Sequence, residues 1–324
     1  MSAEYINFLS RRAFIAAGVA APMLANAQSA GGRVIVPYAP GAATDTLGRI
    51  MADLLSDGTG TKYIVENRGG GATQIGTKAV AAAPADGQTL GFIDTAFVIN
   101  PGLFGPKLPY DTVQDFAPVS LMATAPLALI VHQSVAAATI TEFLTLARAQ
   151  PGKLSYGSAG AGSAPHLAGE QLRIAAGIAI VHIPYRGGAT VLNDLLAGHI
   201  HFGFTTVPTM LPHIRAGTVR ALAVTSPTRA PQLPQVPTMR EVLLPAVDAS
   251  PLFGLVAPSR TPRAVLDKLA AVAQQVRSGP VRARLQEMGF TPVGSTPDEF
   301  RARIVGDIRK WTDVVKAGSI RASE

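Results

Sequence analysis

Residues 36–45 read Val36-Pro37-Tyr38-Ala39-Pro40-Gly41-Ala42-Ala43-Thr44-Asp45. A β-branched run stops at a proline, a second proline and a glycine bend the chain, and small residues then open a helical pattern. A strand passing through a tight turn into a helix is the unit from which open parallel sheets are built. Gly41 lets the backbone approach a ligand closely. The helix start beyond it offers N–H groups to an anion. Asp45 falls in the first helical turn, where it either caps that turn or accepts a hydrogen bond from a ligand hydroxyl, ammonium or ordered water.

The same arrangement recurs at 156–166, Tyr156-Gly157-Ser158-Ala159-Gly160-Ala161-Gly162-Ser163-Ala164-Pro165-His166. Three glycines and two hydroxyls opening a helix form a nest for a carboxylate. Neither Ser158 nor Ser163 sits in a G-x-S-x-G frame, so this is no nucleophile elbow. No G-K-[ST] closes it, so it is no phosphate loop. His166 is placed to cap the helix or bond a ligand, more readily than to act as a base for Ser163. A third turn is His182-Ile183-Pro184-Tyr185-Arg186-Gly187-Gly188, with Thr205-Thr206 ending a later strand. Tyr185 offers a flat apolar face with a polar tip. Arg186 either pairs with a carboxylate or stays in solvent.

Working outward, short apolar runs alternate with helical patterns. Strands are expected at 33–37, 62–65, 89–94, 117–121, 127–132, 154–156, 179–183, 201–205, 219–225 and 253–257. Helices are expected at 44–56, 73–82, 140–149, 166–176, 189–197 and 209–215. The alternation predicts an α/β protein with parallel sheets covered on both faces. From Pro262 onward the pattern is helical. Phe300, Ile304, Ile308, Trp311 and Val315 form one core-facing stripe, with Thr296 as N-cap and Glu299 three positions on. These helices need a sheet to cover, and the N-terminal α/β unit is the simplest, which makes the first domain discontinuous.

Composition narrows the function. The chain has 324 residues and 48% hydrophobic content, enough for two packed domains. It has no cysteine, which excludes disulfides, thiolate metal sites and a cysteine nucleophile. A net charge of +7 comes from scattered residues, with no basic run longer than a pair such as Arg11-Arg12, and aromatics make up only 6%. That pattern argues against nucleic acid and suits a diffuse field that draws in small anions. His199 and His201 lack a third ligand, so no metal is expected. No dinucleotide fingerprint follows a strand, and no cofactor is expected. The first residues read as an address: Ser10-Arg11-Arg12-Ala13-Phe14-Ile15, an apolar run to Leu24, then Ala25-Asn26-Ala27. The pattern predicts a signal peptide of the twin-arginine type at residues 1–27, cleaved after Ala27 to release the chain to the periplasm, with the general secretory route as the alternative.

At the turns the chain closely resembles the receptors of tripartite tricarboxylate transporters, the Bug-type periplasmic binding proteins. Matching segments include residues 36–45, Val65-Glu66-Asn67-Arg68, Asp86-Gly87-Gln88-Thr89-Leu90, Leu108-Pro109-Tyr110-Asp111, Tyr156-Gly157-Ser158, His166-Leu167-Ala168-Gly169-Glu170 and Pro184-Tyr185-Arg186-Gly187. They run in order along essentially the whole mature chain. The resemblance implies a type II periplasmic-binding-protein fold, two α/β lobes joined by crossover strands with a ligand cleft between them. Lobe 1 is expected at 28–128 and 253–324, lobe 2 at 129–252. It also implies that Gly41, Asp45, Ser158, Gly160, Gly162, Ser163, His166, Tyr185, Gly187 and Thr205 contact a small carboxylate. The ligand would be a di- or tricarboxylate, an amino acid or an aromatic acid. The partners would be membrane permease subunits, the protein a monomer with no enzymatic activity. A sensor acting through a membrane kinase would have the same cleft; a secreted hydrolase would use Ser163 or Ser158 with His166. Ala39 and Ala42, and the run Gly69-Gly70-Gly71-Ala72-Thr73, depart from the family's usual turns.

Overall fold

The computed structural model describes residues 31–321, so the expected leader and its cleavage site lie outside the described residues. The chain builds two sheets. The first has six strands in the order β11-β4-β10-β3-β1-β2. They are β1 (Gly32–Val36), β2 (Tyr63–Asn67), β3 (Thr89–Asp94), β4 (Phe116–Thr124), β10 (Leu252–Pro258) and β11 (Thr291–Pro292). The second has five strands in the order β7-β6-β8-β5-β9. These are β5 (Leu127–His132), β6 (Ser155–Ser158), β7 (Val181–Pro184), β8 (Phe202–Thr206) and β9 (Val219–Val224).

The sheets are mixed, which corrects the expectation of parallel sheets. β1 runs parallel to β2 and β3, but β10 is antiparallel to both β3 and β4. In the second sheet β6 is parallel to β7 and β8, while β5 is antiparallel to β8 and β9. The reason is connectivity. The chain leaves the first sheet along β4, enters the second along β5, and returns from β9 to β10, so the strands that carry it across oppose their neighbours. Ala125 N–H donates to Pro251 O at 3.3 Å, tying the two crossings together.

Helices α1 (Ala43–Thr59), α2 (Gln74–Ala81) and α3 (Ala96–Phe104) follow β1, β2 and β3. In lobe 2, α5 (Ala164–Ala176) follows β6, α6 (Gly188–Leu196) follows β7, and α7 (Val207–Arg215) follows β8. Between β5 and β6 in the chain lies α4 (Ile140–Ala149), whose Phe143 packs edge-on against Phe202 of β8 and whose Thr139 cap accepts from Glu142 N. The C-terminal helices α8 (Arg263–Ala273), α9 (Gly279–Glu287) and α10 (Pro297–Ala317) return to the first sheet; α8 packs on α1 and β4, and α10 on α3 and β4. Phe300, Ile304, Trp311 and Val315 of α10 are buried. Thr296 and Glu299 form the reciprocal capping box, with bonds of 3.2 and 2.8 Å.

One apolar layer runs through both lobes, from Ile35, Phe97 and Trp311 to Leu129, Phe143 and Phe202. Separate clusters fill the other faces, around Leu47, Phe92 and Leu285 in lobe 1 and around Ile130, Val191 and Met210 in lobe 2. Among the described residues no helix is long and apolar enough to cross a membrane.

Candidate functional site

Every strand-to-helix turn read from the sequence reaches the same cleft. A cavity of about 680 Å³ lies between the lobes. Lobe 1 lines it with Pro37 to Pro40, Asn67, Gly69 to Gln74, Ala96 and Phe104; lobe 2 with Ala159 to Ala161, Ser163 and Pro184 to Arg186. A smaller cavity of about 80 Å³ adjoins it, sharing Tyr38, Ala159 and Ser163 and reaching Thr44, Asp94, Thr205 and Thr206. Helices α1, α6 and α7 start at this smaller cavity with no side chain capping them, although the first N–H of α7, that of Val207, donates to Pro126 O at 3.0 Å. Arg186 is the one cationic side chain lining the larger cavity among the described residues.

In the first turn Gly41 takes φ +100°, a conformation that favours glycine, and its N–H donates to Asp45 Oδ2 at 3.1 Å. Asp45 is buried and engaged on every side. Arg49 reaches it with Nε at 3.1 Å and a terminal nitrogen at 3.0 Å, and Asn67 Nδ2 donates at 2.9 Å. Burial pushes this carboxyl up, but the bonds from Arg49, Asn67 and Gly41 outweigh it and hold its pKa below the ordinary carboxylate value. Asp45 lines neither cavity. It welds the turn to the end of β2.

The turn after β6 repeats the device with a different residue. Gly160 and Gly162 take φ of +114° and +78°. Gly162 N–H donates to His166 Nδ1 at 3.2 Å, so the proton of that imidazole sits on Nε2. His166 stacks on His182 with ring centroids 4.1 Å apart. Burial lowers the pKa of both rings, that of His182 to about 3, with His166 adding to the shift. His182 Nε2 lies 2.7 Å from Ser158 Oγ, which in turn donates to Gly160 O at 3.1 Å. Ser163 caps α5 and donates to Gly160 O at 2.7 Å.

Of the sequence-predicted residues, Gly160, Ser163, Tyr185 and Thr205 line the cavities. Gly41, Asp45, Ser158, Gly162, His166 and Gly187 line neither and shape the turns behind the walls. Tyr185 is fixed by donating its hydroxyl to Asp194 Oδ2 at 2.6 Å. Gly162 packs across the lobes: a Cβ there would fall 2.6 Å from Leu103 Cδ2 of α3. Gly187 and Gly188 face Ala39 and Ala42, with Cβ positions 3.9 and 3.4 Å from those methyls, so the two departures from the family's turn fill space at the lobe interface. Neither serine that a hydrolase would use bonds the His166 ring: Ser163 donates to Gly160 O, and Ser158, wholly buried, bonds His182.

Sequence reasoning missed two features. Ala72 and Thr73 hold φ of +51° and +74° at the cavity wall, a strained state for a β-branched residue. Asn100 Nδ2 holds them, donating to Ala72 O at 2.9 Å and Thr73 Oγ1 at 3.2 Å. The second is Asp94, at the end of β3. Its Oδ1 accepts from Tyr38 Oη at 3.1 Å and Ala96 N at 3.0 Å, and its Oδ2 from Thr44 Oγ1 at 3.3 Å. Burial pushes its pKa up to about 6 against the pull of these bonds.

Residues 47–320 match the model of the tripartite tricarboxylate transporter family receptor. BugT of Bordetella pertussis is 36% identical over 307 residues, 94% of each chain. Among solved structures, Rpa4515 of Rhodopseudomonas palustris with adipate is 31% identical at TM-score 0.87, covering 90% of this chain and 98% of that one. MatC of the same organism with bound malate is 28% identical at TM-score 0.83, covering 88% and 98%. The chain belongs to the tripartite tricarboxylate transporter receptor family and has its two-lobed periplasmic-binding-protein fold.

Proposed function

We propose that this family member is a periplasmic receptor that captures a small carboxylate between its lobes and presents it, unchanged, to the permease of a tripartite transporter. The observation that carries this reading is the cleft itself. Glycine-rich turns and uncapped helix starts from both lobes converge on it, with one cation, Arg186, in its wall. Fixed N–H dipoles of this kind stabilise a carboxylate without a dominant ion pair. The adipate and malate held by the structural neighbours support the ligand class.

The clamshell would divide at 28–128 plus 253–324 for lobe 1 and 129–252 for lobe 2, acting as a monomer. Contact would come from Gly160, Ser163, Tyr185 and Thr205, with the other predicted residues setting the shape of the turns. A ligand touching both lobes favours the closed arrangement by its differential affinity for it. The permease then reads the closed form.

A thermal-shift screen of residues 28–324 against small carboxylates tests the proposal. At about 100 times its Kd, the right acid adds ~2.7 kcal/mol of apparent stability. A folded, ligand-free protein that no carboxylate stabilises overturns it.

A further inference from the structure

The smaller cavity contains a carboxylate where a carboxylate-binding site should least tolerate one. Asp94 opens into it beside Thr44, Thr205 and Ser163, and no lysine, arginine or histidine lines that space among the described residues. Asp94 also makes no salt bridge among the described residues. Its Oδ1 is fully used by Tyr38 and Ala96, whereas Oδ2 has only the 3.3 Å bond from Thr44. A carboxylate oxygen accepts two hydrogen bonds, so Oδ2 has room for a further donor, and Asp94 is part of the cavity wall. Largely desolvated and with no counter-charge beside it, such a group is costly to hold.

Charge decides what belongs there. A second carboxylate beside Asp94 is repelled, while a cationic donor gains both a hydrogen bond and a counter-charge. The cavity, at about 80 Å³, has room for a few heavy atoms. Ser163 borders both cavities, so one small molecule can lie across them, its α-ammonium at Asp94, the neighbouring carboxylate at the Gly160 turn and its far end toward Arg186.

We propose that Asp94 is a specificity-determining residue that selects a ligand carrying an ammonium group beside its carboxylate, an amino acid in preference to the plain acid of the same skeleton. This rests on the reading of the cleft as a carboxylate site and narrows it. The ammonium donates to Asp94 Oδ2, and the α-carboxylate stays on the N–H groups of the opposite turns.

Calorimetric titration of the mature protein with matched pairs tests it: aspartate against succinate, glutamate against glutarate, 2-aminoadipate against adipate, leucine against 4-methylpentanoate. In the pair that binds, the amino member is expected to bind about 30-fold tighter at pH 7.5, the ratio typical of a hydrogen bond to a charged group. Asp94→Asn, shown to fold by its melting curve, should cut that preference below about threefold. A plain acid that binds as tightly as its amino counterpart to the unaltered protein overturns the proposal with no variant needed. A preference for the amino member that survives Asp94→Asn undiminished also overturns it, since the ammonium would then be held elsewhere. If no carboxylate of any kind binds, the receptor reading itself fails and takes this inference with it.

Discussion

The turns after β1 and β6 solve one mechanical problem with opposite chemistry. Each bends at a glycine of positive φ, and in each the glycine N–H is held by a side chain four residues on: Gly41 by Asp45, Gly162 by His166. Asp45 is an anion clamped by Arg49 and Asn67. His166 is a neutral ring stacked on a second neutral ring. The difference lies in what surrounds them. The first turn has an arginine at hand to balance charge, while the second abuts Tyr156, His182 and the body of lobe 2, where a net charge would be costly. A turn that must present bare N–H groups needs a rigid back, and either chemistry supplies it.

The largest effect is expected from Asp45→Ala. It strips Gly41, Arg49 and Asn67 of their shared acceptor, and losing hydrogen bonds to a charged group from all three costs about 3 kcal/mol. Chemical denaturation measures this, and a loss below about 1 kcal/mol would show that the anion does not hold the turn. Gly162→Ala comes next, at about 2–3 kcal/mol from positive φ and the clash with Leu103. Gly41→Ala should cost only ~1 kcal/mol, since its φ is strained but its nearest neighbour lies 3.9 Å away. Equal losses at the two glycines would erase the distinction between a cross-lobe contact and an open turn. His166→Ala should cost about 1–2 kcal/mol, leaving Gly162 N–H buried without an acceptor.

Acidification separates the two clasps without mutation. The folded pKa of His182 lies near 3 and that of His166 below 6.5, so unfolded chains take up protons first. Stability from the histidine pair is therefore full above pH 6.5 and drains away as the pH falls below it. Asp45 has a folded pKa below 3.8, so its contribution persists until the pH falls beneath that value. Hydrogen exchange at Gly162 and Gly41 should thus show the second turn loosening first on acidification. Simultaneous loosening would contradict the assignment of one clasp as neutral and the other as charged.

The smallest effect concerns Asp94, whose pKa moves the other way. With a folded value of about 6 against 3.8, it is protonated more readily in the fold, so its cost to stability grows as the pH rises from 4 to 6. Ligand-free Asp94→Asn is expected to melt a few degrees higher at pH 7.5 and to match the unaltered protein at pH 4.

Much of this was legible in the chain. β1, β3, β5 and β10 lie where apolar runs placed them, and the three turns do meet at one cleft. What was not legible has physical causes. α3 was missed because Phe97, Val98 and Ile99 are all buried and Pro101 interrupts, leaving no helical period to read. Asp94 looked like the polar last residue of a strand, and only the fold brings Tyr38 and Thr44 to it. Asp45 and His166 carry ligand-friendly groups at the right distance from a glycine, and sequence alone does not reveal that the backbone uses them first. The antiparallel crossings were hidden for a similar reason: alternation reports which elements follow one another, not which way a returning strand runs.

That returning strand also dictates an order of events at the ribosome. β10 lies between β3 and β4, yet it is made only after all of β5 to β9. The second sheet has every strand in hand once Val224 has emerged, while the first waits in two pieces with the facing edges of β3 and β4 unpaired. Open edges of this kind invite wrong partners, and long-range closure is slow. The lobe whose synthesis starts first is thus the last to be finished, and its exposure in the meantime sets the chain's need for protection before it folds.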